Sequence, residues 1–324
     1  MKKCLAEDGR RTRPSVLVTG ALGFIASNYI RFLLKQNKVD VVITDRQTSS
    51  KKVQRLQGLA IADSILWQDL THGAGDVLQD VDEVVHFAAE TYVDNSIKDA
   101  KPFVDSNVVG TFNLLEGCRK WGVKRLLLFS TDEVYGSLPE GVFATESFPL
   151  NPTNPYAATK ASADLLTLSY HNTYGLNTVV TRCGNIYGPW QHPEKAIPVW
   201  IKHALKGQPL PVYGDGSHKR MWVYVDDVCQ VLEAVRVKGV AGEVYNIAND
   251  AYDNIAVAKI INVLAGLPAY NLVSVDDKHL RPGHDRRYAM DDDKVRTMTG
   301  WLPTVDLTVG LSRTYYWFKD HPQW

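Results

Sequence analysis

Short apolar runs rich in β-branched residues recur along the amino-terminal part of the chain, and stretches with helical periodicity separate them. Runs of this composition are typical of buried strands. The predicted strands span 15–19, 40–44, 64–67, 83–87, 125–129 and 176–182. The predicted helices span 24–34, part of 98–121, and 156–174. This alternation predicts an α/β fold built on a doubly wound parallel Rossmann sheet.

The pattern changes after Cys183, where Gly, Pro, Tyr and Trp cluster in loops and the predicted elements become shorter. Loops of this kind on a rigid sheet commonly bind ligands. We therefore expect a smaller, mixed α/β carboxyl-terminal domain that binds substrate. The predicted boundaries are a disordered tail at 1–14, a Rossmann domain at 15–183 and about 220–248, and a substrate domain at about 184–219 and 249–324.

A glycine turn follows the first predicted strand and precedes the first predicted helix. Gly20, Gly23 and Ala26 are spaced by threes, as in a dinucleotide-binding fingerprint whose third glycine can be alanine. Gly20 would permit the turn, and Gly23 would let the backbone approach a pyrophosphate. Asp45 ends the second strand, where a carboxylate binds the ribose hydroxyls of NAD and repels the 2′-phosphate of NADP. These residues predict NAD as the cofactor, although Asp45 alone would also suit a turn.

Two stretches carry candidate proton-transfer groups. Asp132 and Glu133 follow the strand at 125–129, at the edge where open α/β sheets bind ligands. Tyr156 and Lys160 are four residues apart on one helical face, and a nearby ammonium favours the phenolate form of tyrosine. Such a tyrosine can take a proton from a sugar hydroxyl while hydride leaves the same carbon. Either stretch alone would also suit a surface, but together with the glycine turn they predict catalysis.

Another predicted strand end carries His86, followed by Ala88 and Ala89. The small side chains would let a nicotinamide dinucleotide lie close to the backbone. His86 lies inside an apolar run, so we expect a hydrogen-bonded core histidine there and not a catalytic one.

Composition limits the function classes. Hydrophobic residues make up 45% and charged residues 22%, and 36 basic residues balance 36 acidic ones. This balance argues against nucleic-acid or anionic-membrane partners. No apolar run approaches membrane-spanning length, and 1–14 lacks the apolar core of a signal peptide. The four cysteines have no metal-ligand spacing, so we expect reduced thiols, no metal and a cytoplasmic location.

These motifs resemble the extended short-chain dehydrogenase/reductase superfamily and, within it, the dTDP-glucose 4,6-dehydratase family. The resemblance runs from about residue 15 to 317. The Asp132–Glu133 pair is its distinguishing feature, because related sugar epimerases and decarboxylases share the glycines and the Tyr-x-x-x-Lys spacing but usually lack the two acids. The motifs that carry it span 19–25, 86–90, 130–136, 154–160, 193–198 and 281–288.

The resemblance implies NAD on the sheet, a sugar nucleotide (a dTDP- or UDP-hexose) as substrate, and a homodimer through the helices near 98–121 and 154–174. The implied catalytic residues are Thr131, Asp132, Glu133, Tyr156 and Lys160. The implied cofactor-binding residues are Tyr156, Lys160, Gly20, Gly23, Phe24, Ile25, Asp45, Asp69, Leu70, Ala88 and Ala89. The implied substrate-binding residues are Glu90, Asn185, Glu194, Lys195, Pro211, Tyr213, Arg220, Asn246, Arg287 and Tyr288.

The chain departs from the family pattern at three places. Met221 stands where the family usually has the aspartate of Arg-Asp-Trp, and Gly184-Asn185-Ile186 replaces the usual Ser-Asn-Asn. The segment 46–68 is short and lacks the usual Leu-Thr-Tyr-Ala-Gly. These differences bear on cofactor retention and substrate choice more than on the chemistry.

The implied reaction is dehydration of a nucleoside-diphosphate hexose, with dTDP-glucose giving dTDP-4-keto-6-deoxyglucose. Tyr156 would take the C4 hydroxyl proton during a transient oxidation, with Thr131 bonded to that oxygen. Glu133 would remove the C5 proton, and protonated Asp132 would protonate the departing C6 hydroxyl. Other classes stay open: a sugar-nucleotide 4-epimerase or decarboxylase, an NADP-linked reductase, and a non-catalytic dinucleotide-binding regulator.

Overall fold

The structure is a computed structural model, and it describes residues 13–46, 50–61, 65–268, 271–276 and 284–324 of the 324-residue chain. Most of the predicted tail therefore lies outside the described residues, as do Arg281, Pro282 and Gly283 of the last family motif. Within the described ranges, no helix is long and apolar enough to cross a membrane.

Strands and helices alternate through the described chain, as the hydrophobic pattern predicts. The strands are β1 Ser15–Thr19, β2 Asp40–Asp45, β3 Leu66–Trp67, β4 Glu83–His86, β5 Arg125–Thr131, β6 Thr178–Cys183, β7 Asn185–Tyr187, β8 Leu210–Tyr213, β9 Lys219–Tyr224, β10 Val244–Ile247, β11 Ala251–Asp253 and β12 Leu272–Val275. The helices are α1 Phe24–Gln36, α2 Ser50–Val53, α3 Val93–Lys98, α4 Lys101–Phe103, α5 Gly110–Trp121, α6 Pro155–Tyr174, α7 Ala196–Leu205, α8 Val225–Lys238, α9 Asn254–Leu264, α10 Asp293–Thr299 and α11 Leu307–Asp320.

A seven-stranded sheet organises the fold, in the order β10-β6-β5-β4-β1-β2-β3. β1 pairs in parallel with β2 and β4, and β4 pairs in parallel with β5. Every residue of β1 and β6 is buried, which suits strands covered on both faces. The prediction of a doubly wound Rossmann sheet is confirmed. The order reverses between β1 and β4, and open α/β sheets bind ligands at such a point.

The described chain packs as two compact units, each with its own apolar core. The first unit contains the described residues up to Ser130, with Pro155–Arg182 and Leu232–Tyr245; the second contains Thr131–Asn154, Cys183–Val231 and the described residues from Asn246 onward. Leu17, Leu114, Leu126 and Val180 are buried in the first core. Tyr187, Trp200, Ile261 and Leu311 are buried in the second core. A small three-stranded sheet, in the order β11-β9-β7, and the pair β12–β8 add to the second unit.

The helix predicted within 98–121 contains a π-helical turn, Val104–Val109, between α4 and α5. This turn carries the buried side chain of Asn107. Its amide nitrogen donates to the Glu90 carbonyl (3.0 Å) and to Thr159 Oγ1 (2.9 Å), and its oxygen accepts from the Glu90 amide (2.8 Å). Turns of this type often mark functional sites, and apolar periodicity does not predict them.

Candidate active site

The glycine turn after β1 lies against the end of β4. Gly20 has φ +63°, and a Cβ there would be 2.8 Å from Cα and N of Ala88, so only glycine fits. The Gly23 amide donates to the Gly20 carbonyl (2.8 Å) and places Gly23 at the start of α1. Among the described residues no side chain caps this helix. Its first-turn amides, which include those of Phe24 and Ile25, are therefore available to a phosphate.

Asp45 lies beside that turn at the end of β2. Its carboxylate accepts from the Leu22 amide (2.8 Å) and from the Arg46 amide (2.8 Å). Burial raises the pKa of this carboxyl, and the two backbone bonds oppose the rise. Arg46 also pairs with the carboxylate of Glu90, a residue predicted to bind substrate. Buried Arg55, which the sequence did not single out, donates to the Leu22 carbonyl (2.9 Å) and supports the same turn.

Asp69 and Leu70 occupy the connection after β3. Asp69 accepts from the Thr71 amide (3.0 Å) and hydroxyl (2.8 Å), and so begins the 3₁₀ turn Leu70–His72. Leu70 is buried, whereas Ala89 remains partly exposed after β4. These predicted cofactor residues lie in the same unit as the glycine turn.

His86 is confirmed as a hydrogen-bonded core histidine. The Thr111 hydroxyl donates to the Asn107 carbonyl (2.7 Å), so it accepts from His86 Nε2 (3.1 Å). Nδ1 then accepts from the Thr19 hydroxyl (2.7 Å), which in turn accepts from the Ala88 amide (3.2 Å). Burial lowers the pKa of His86 to about 3, so the imidazole is neutral at working pH.

Tyr156 and Lys160 are both buried on one face of α6, as their spacing predicts. The Tyr156 ring packs edge-on against Phe103, with ring centroids 6.4 Å apart. Lys160 Nζ donates to the Phe129 carbonyl at the end of β5 (2.7 Å). Burial lowers the pKa of Lys160 to about 8, and Asp164 opposes that change. The amine therefore remains largely charged near neutral pH.

The acidic pair follows β5 directly. Thr131 ends that strand, and its hydroxyl accepts from the Glu133 amide (3.3 Å) and donates to Asp132 Oδ1 (3.2 Å). Asp132 is only 4% exposed. Burial, and then the charge of Glu133, raise the pKa of Asp132 to about 7, while Arg220 opposes the rise. A large fraction of Asp132 is thus protonated at neutral pH and can donate a proton.

Glu133 has different surroundings and is partly exposed. Its Oε2 accepts from Asn154 Nδ2 (3.3 Å) and lies 3.4 Å from the Tyr288 hydroxyl. That hydroxyl also lies 2.8 Å from Asp285 Oδ2, which accepts from the Thr153 hydroxyl (2.6 Å). Burial raises the pKa of Tyr288 well above its usual value, so it stays protonated. Asn154 and Asp285 were missed as site residues, because only packing places them beside Glu133.

Arg220 and Arg287, predicted to hold a diphosphate, are both buried in the second unit. Arg220 donates to the Asp285 carbonyl (2.7 Å). Arg287 donates to the carbonyls of Pro139 (2.6 Å) and Val142 (2.7 Å). The two guanidinium groups therefore anchor neighbouring loops, whatever ligand they also contact.

Asn246 is fully buried near the end of β10. Its amide nitrogen donates to the carbonyls of Ala144 (2.9 Å) and Asp291 (3.0 Å), and its oxygen accepts from the Tyr135 hydroxyl (2.8 Å). These bonds tie three loops of the second unit together.

The remaining predicted substrate residues also lie in the second unit. Asn185 lies on β7, Glu194 and Lys195 precede α7, and Pro211 and Tyr213 lie on β8. Glu194 is exposed, and its carboxylate is 3.6 Å from the His192 ring. The buried Oδ1 of Asn185 has no hydrogen-bond partner among the described residues, which leaves it able to accept from a ligand.

Two departures from the family pattern are neighbours in the structure. A Cβ at Gly184 would lie 2.7 Å from the Met221 carbonyl oxygen, so a serine there would require the backbone to move. The Met221 sulfur accepts from the Met290 amide (3.1 Å). The methionine side chain is thus part of the local packing.

Comparison with known proteins shows which families these features resemble. A family model described as GDP-mannose 4,6 dehydratase matches residues 17–314. The chain is 42% identical to a dTDP-glucose 4,6-dehydratase of Streptomyces niveus, over 95% of this chain and 94% of the relative.

Two solved structures share the fold closely. A dTDP-glucose 4,6-dehydratase from Streptomyces venezuelae, solved with NAD bound, matches with a TM-score of 0.89 and 40% identity, over 96% of this chain and 98% of that chain. A UDP-glucuronic acid 4-epimerase from Bacillus cereus, in complex with UDP-glucuronic acid and NAD, matches with a TM-score of 0.88 and 30% identity, over 95% of this chain and 99% of that chain. The backbone similarity extends to both activities, whereas the sequence identity is higher with the dehydratase.

Proposed function

This chain belongs to the sugar-nucleotide 4,6-dehydratase family of the extended short-chain dehydrogenase/reductases, and we propose that it converts dTDP-glucose to dTDP-4-keto-6-deoxyglucose with NAD. The observation that carries the proposal is the Asp132–Glu133 pair. Asp132 is buried with a raised pKa, and Glu133 is partly exposed beside Asn154 and Tyr288. An elimination needs one acid and one base, and these surroundings favour that division.

The first unit suits NAD. The turn at Gly20 excludes any Cβ, the start of α1 offers amides to a pyrophosphate, and Asp45 offers a carboxylate to ribose hydroxyls. When bound, NAD would supply the acceptor for the C4 hydride and return that hydride to C6, so the net reaction is loss of water. We propose that this unit binds the cofactor and that the second unit binds the sugar nucleotide.

Tyr156 is the base for the C4 hydroxyl in this proposal. Charged Lys160, on the same face of α6, favours the phenolate that accepts the proton. Thr131 hydrogen-bonds the C4 oxygen. The resulting 4-ketone acidifies the proton on C5.

Elimination then divides between the two carboxyl groups. Glu133 takes the C5 proton, the C5–H electron pair forms the C5–C6 double bond, and the C6–O bond breaks. Asp132 gives its proton to the departing oxygen, which leaves as water. Glu133 later returns a proton to C5. Asp132 regains a proton from solvent and Tyr156 releases to solvent the one it took from the C4 hydroxyl, so all three groups recover their starting states.

We also propose a homodimer and a cytoplasmic location. Large apolar side chains are exposed on the helical segments near the predicted dimer interface, at Val104, Phe112 and Leu165, as expected of a surface that a second copy covers. The described cysteines, Cys118, Cys183 and Cys229, are buried and unpaired, as in a reducing compartment. Leu165→Glu should shift the mass in solution from dimer to monomer, whereas Val263→Glu, at an exposed site on α9, should not. If Leu165→Glu remained a dimer, this surface would be excluded as the dimer interface.

A panel of sugar nucleotides tests the proposed reaction. Incubation with dTDP-glucose should give a product lighter by one water that shows the alkaline absorbance of a 4-keto-6-deoxy sugar. The similarity to a 4-epimerase makes epimerisation the second candidate. A product of unchanged mass, inverted at C4, would establish that candidate and exclude dehydration.

A further inference from the structure

A buried pair of charged side chains joins the helix of Tyr156 and Lys160 to β6 and has no part in the mechanism above. Asp164 follows Lys160 by one helical turn, so Tyr156, Lys160 and Asp164 lie along one face of α6. The Asp164 side chain is 0% exposed and that of Arg182, on β6, is 4% exposed. Arg182 Nε donates to Asp164 Oδ2 at 2.9 Å, the length of a charge-assisted bond.

Stability alone is a weak reason for this pair. Buried ion pairs lose hydration, and apolar residues of similar size often serve the fold as well. The buried Oδ1 of Asp164 has no hydrogen bond of normal geometry among the described residues, although the nearby Ser130 hydroxyl favours the charged carboxylate. The pair is therefore an imperfectly satisfied charge site in the core, and such sites are commonly kept for function.

Asp164 connects this pair to the charge of Lys160. In the described chain Lys160 forms no salt bridge, and its Nζ donates to the uncharged Phe129 carbonyl. On β4, His86 is neutral and both its nitrogens are bonded to threonine hydroxyls. On α6, Asp164 is the ionisable neighbour that favours the ammonium. Burial raises the pKa of Asp164, and Arg182 is the largest influence that opposes the rise and favours the ionised form.

We propose that Asp164 and Arg182 are positioning residues for proton transfer at Tyr156: Arg182 keeps Asp164 ionised, Asp164 keeps Lys160 charged, and charged Lys160 keeps Tyr156 a base. Neither side chain needs to touch substrate or cofactor. The inference rests on the proposed role of Tyr156, but the ionisation of that phenol can be measured without turnover.

The test is a titration of the Tyr156 phenol in the full chain. The ultraviolet difference spectrum between each protein and its Tyr156→Phe derivative isolates this phenol from the other tyrosines. In Asp164→Asn the anion that favours the Lys160 ammonium is lost, so Lys160 loses its proton more readily. The phenol of Asp164→Asn should therefore ionise about one pH unit higher than in the wild type, equivalent to a tenfold change in the equilibrium. Asp164→Glu, which keeps the charge, should restore most of the wild-type value.

Asp227→Asn is the matched control. Asp227 is also fully buried, and its carboxylate accepts from the Thr304 hydroxyl (2.6 Å) and the Val305 amide (3.0 Å). Its loss should lower stability without moving the Tyr156 titration. If Asp164→Asn does not fold, the double variant Asp164→Asn/Arg182→Met removes both charges and should show the same direction of shift.

An unshifted phenol titration in Asp164→Asn, or in the double variant, would overturn the inference and leave a structural pair. The pH profile of turnover gives the second readout, in which the acid limb of Asp164→Asn should move to higher pH with KM unchanged. A wild type that titrates as described but does not dehydrate sugar nucleotides would contradict the proposed function alone.

Discussion

Replacing Asp132 with asparagine should stabilise the protein relative to the wild type as the pH rises. The wild-type carboxyl is buried, and burial and the Glu133 charge raise its pKa from 3.8 to about 7. The unfolded chain therefore releases this proton at lower pH than the native chain does. Because the native state then holds more protons, the free energy of unfolding falls as the pH rises between these values.

The magnitude follows from that interval. At about 1.4 kcal/mol per pH unit, the wild type should lose roughly 4 kcal/mol between pH ~4 and pH ~7 and no more above it. Below pH ~4 both states hold the proton, so the stabilising contribution of the raised pKa is fully present there. Asparagine does not ionise and escapes the loss, while its amide keeps the size of the protonated acid.

Urea unfolding at pH 5 and pH 9 measures the effect. The stability of Asp132→Asn relative to the wild type should rise by roughly 3 kcal/mol between these two conditions.

Asp82→Asn is the control, because the pKa of Asp82 is shifted in the opposite direction. Burial alone would raise the pKa of Asp82, but hydrogen bonds from Lys124 and Ser15 outweigh it and lower the pKa. Its contribution is present above pH ~4, so Asp82→Asn should be less stable by a constant amount from pH 5 to pH 9. If the free energy of unfolding of Asp132→Asn and of the wild type changed with pH in parallel, the pKa of Asp132 would not be raised in the folded protein.

Three further substitutions test the site. Gly20→Ala should weaken NAD binding by more than tenfold and lower the melting temperature. The new Cβ would press on Ala88 and would be held in a left-handed conformation that costs about 1 kcal/mol. NAD binding equal to that of the wild type would show that the turn is not part of the cofactor site. Glu133→Gln should still oxidise C4 but not eliminate, so the near-ultraviolet absorbance of reduced nicotinamide should accumulate with little product, and normal turnover would rule out Glu133 as the base. Tyr156→Phe should bind dTDP-glucose almost normally and lose turnover by about 10²-fold or more; a change of only a few-fold would exclude Tyr156 as the base.

Local sequence patterns predict much of the fold and those site residues that lie close to one another along the chain. Strand composition and the glycine turn are local signals, and they place β1, α1 and Asp45 correctly. The spacing of Tyr156 and Lys160 puts both on one face of α6 because helical geometry fixes it. Asp132 and Glu133 follow β5 as expected, and they differ in that Asp132 is buried whereas Glu133 is partly exposed.

Other parts of the site depend on tertiary packing and have no local signal. Tyr288 reaches Glu133 from 155 residues away, so no spacing rule connects them. The resemblance predicts that Arg287 contacts a diphosphate. It does not predict that the guanidinium binds the carbonyls of a loop that only the folded chain brings there. The π-helical turn Val104–Val109 differs from an α-helix by one added residue, which apolar periodicity does not resolve. Asp164 and Arg182 each have an ordinary sequence context, and only the folded chain brings them into a pair.

The fate of hydrogen atoms tests the dehydratase assignment most directly. With dTDP-glucose that carries deuterium at C4, we expect a product with deuterium at C6 and a mass lower by one ordinary water. With unlabelled substrate in deuterated water, we expect solvent deuterium at C5, because Glu133 exchanges its proton before returning it. A product of unchanged mass that keeps deuterium at C4, is inverted there, and takes no solvent label at C5 would show that the enzyme is not a dehydratase.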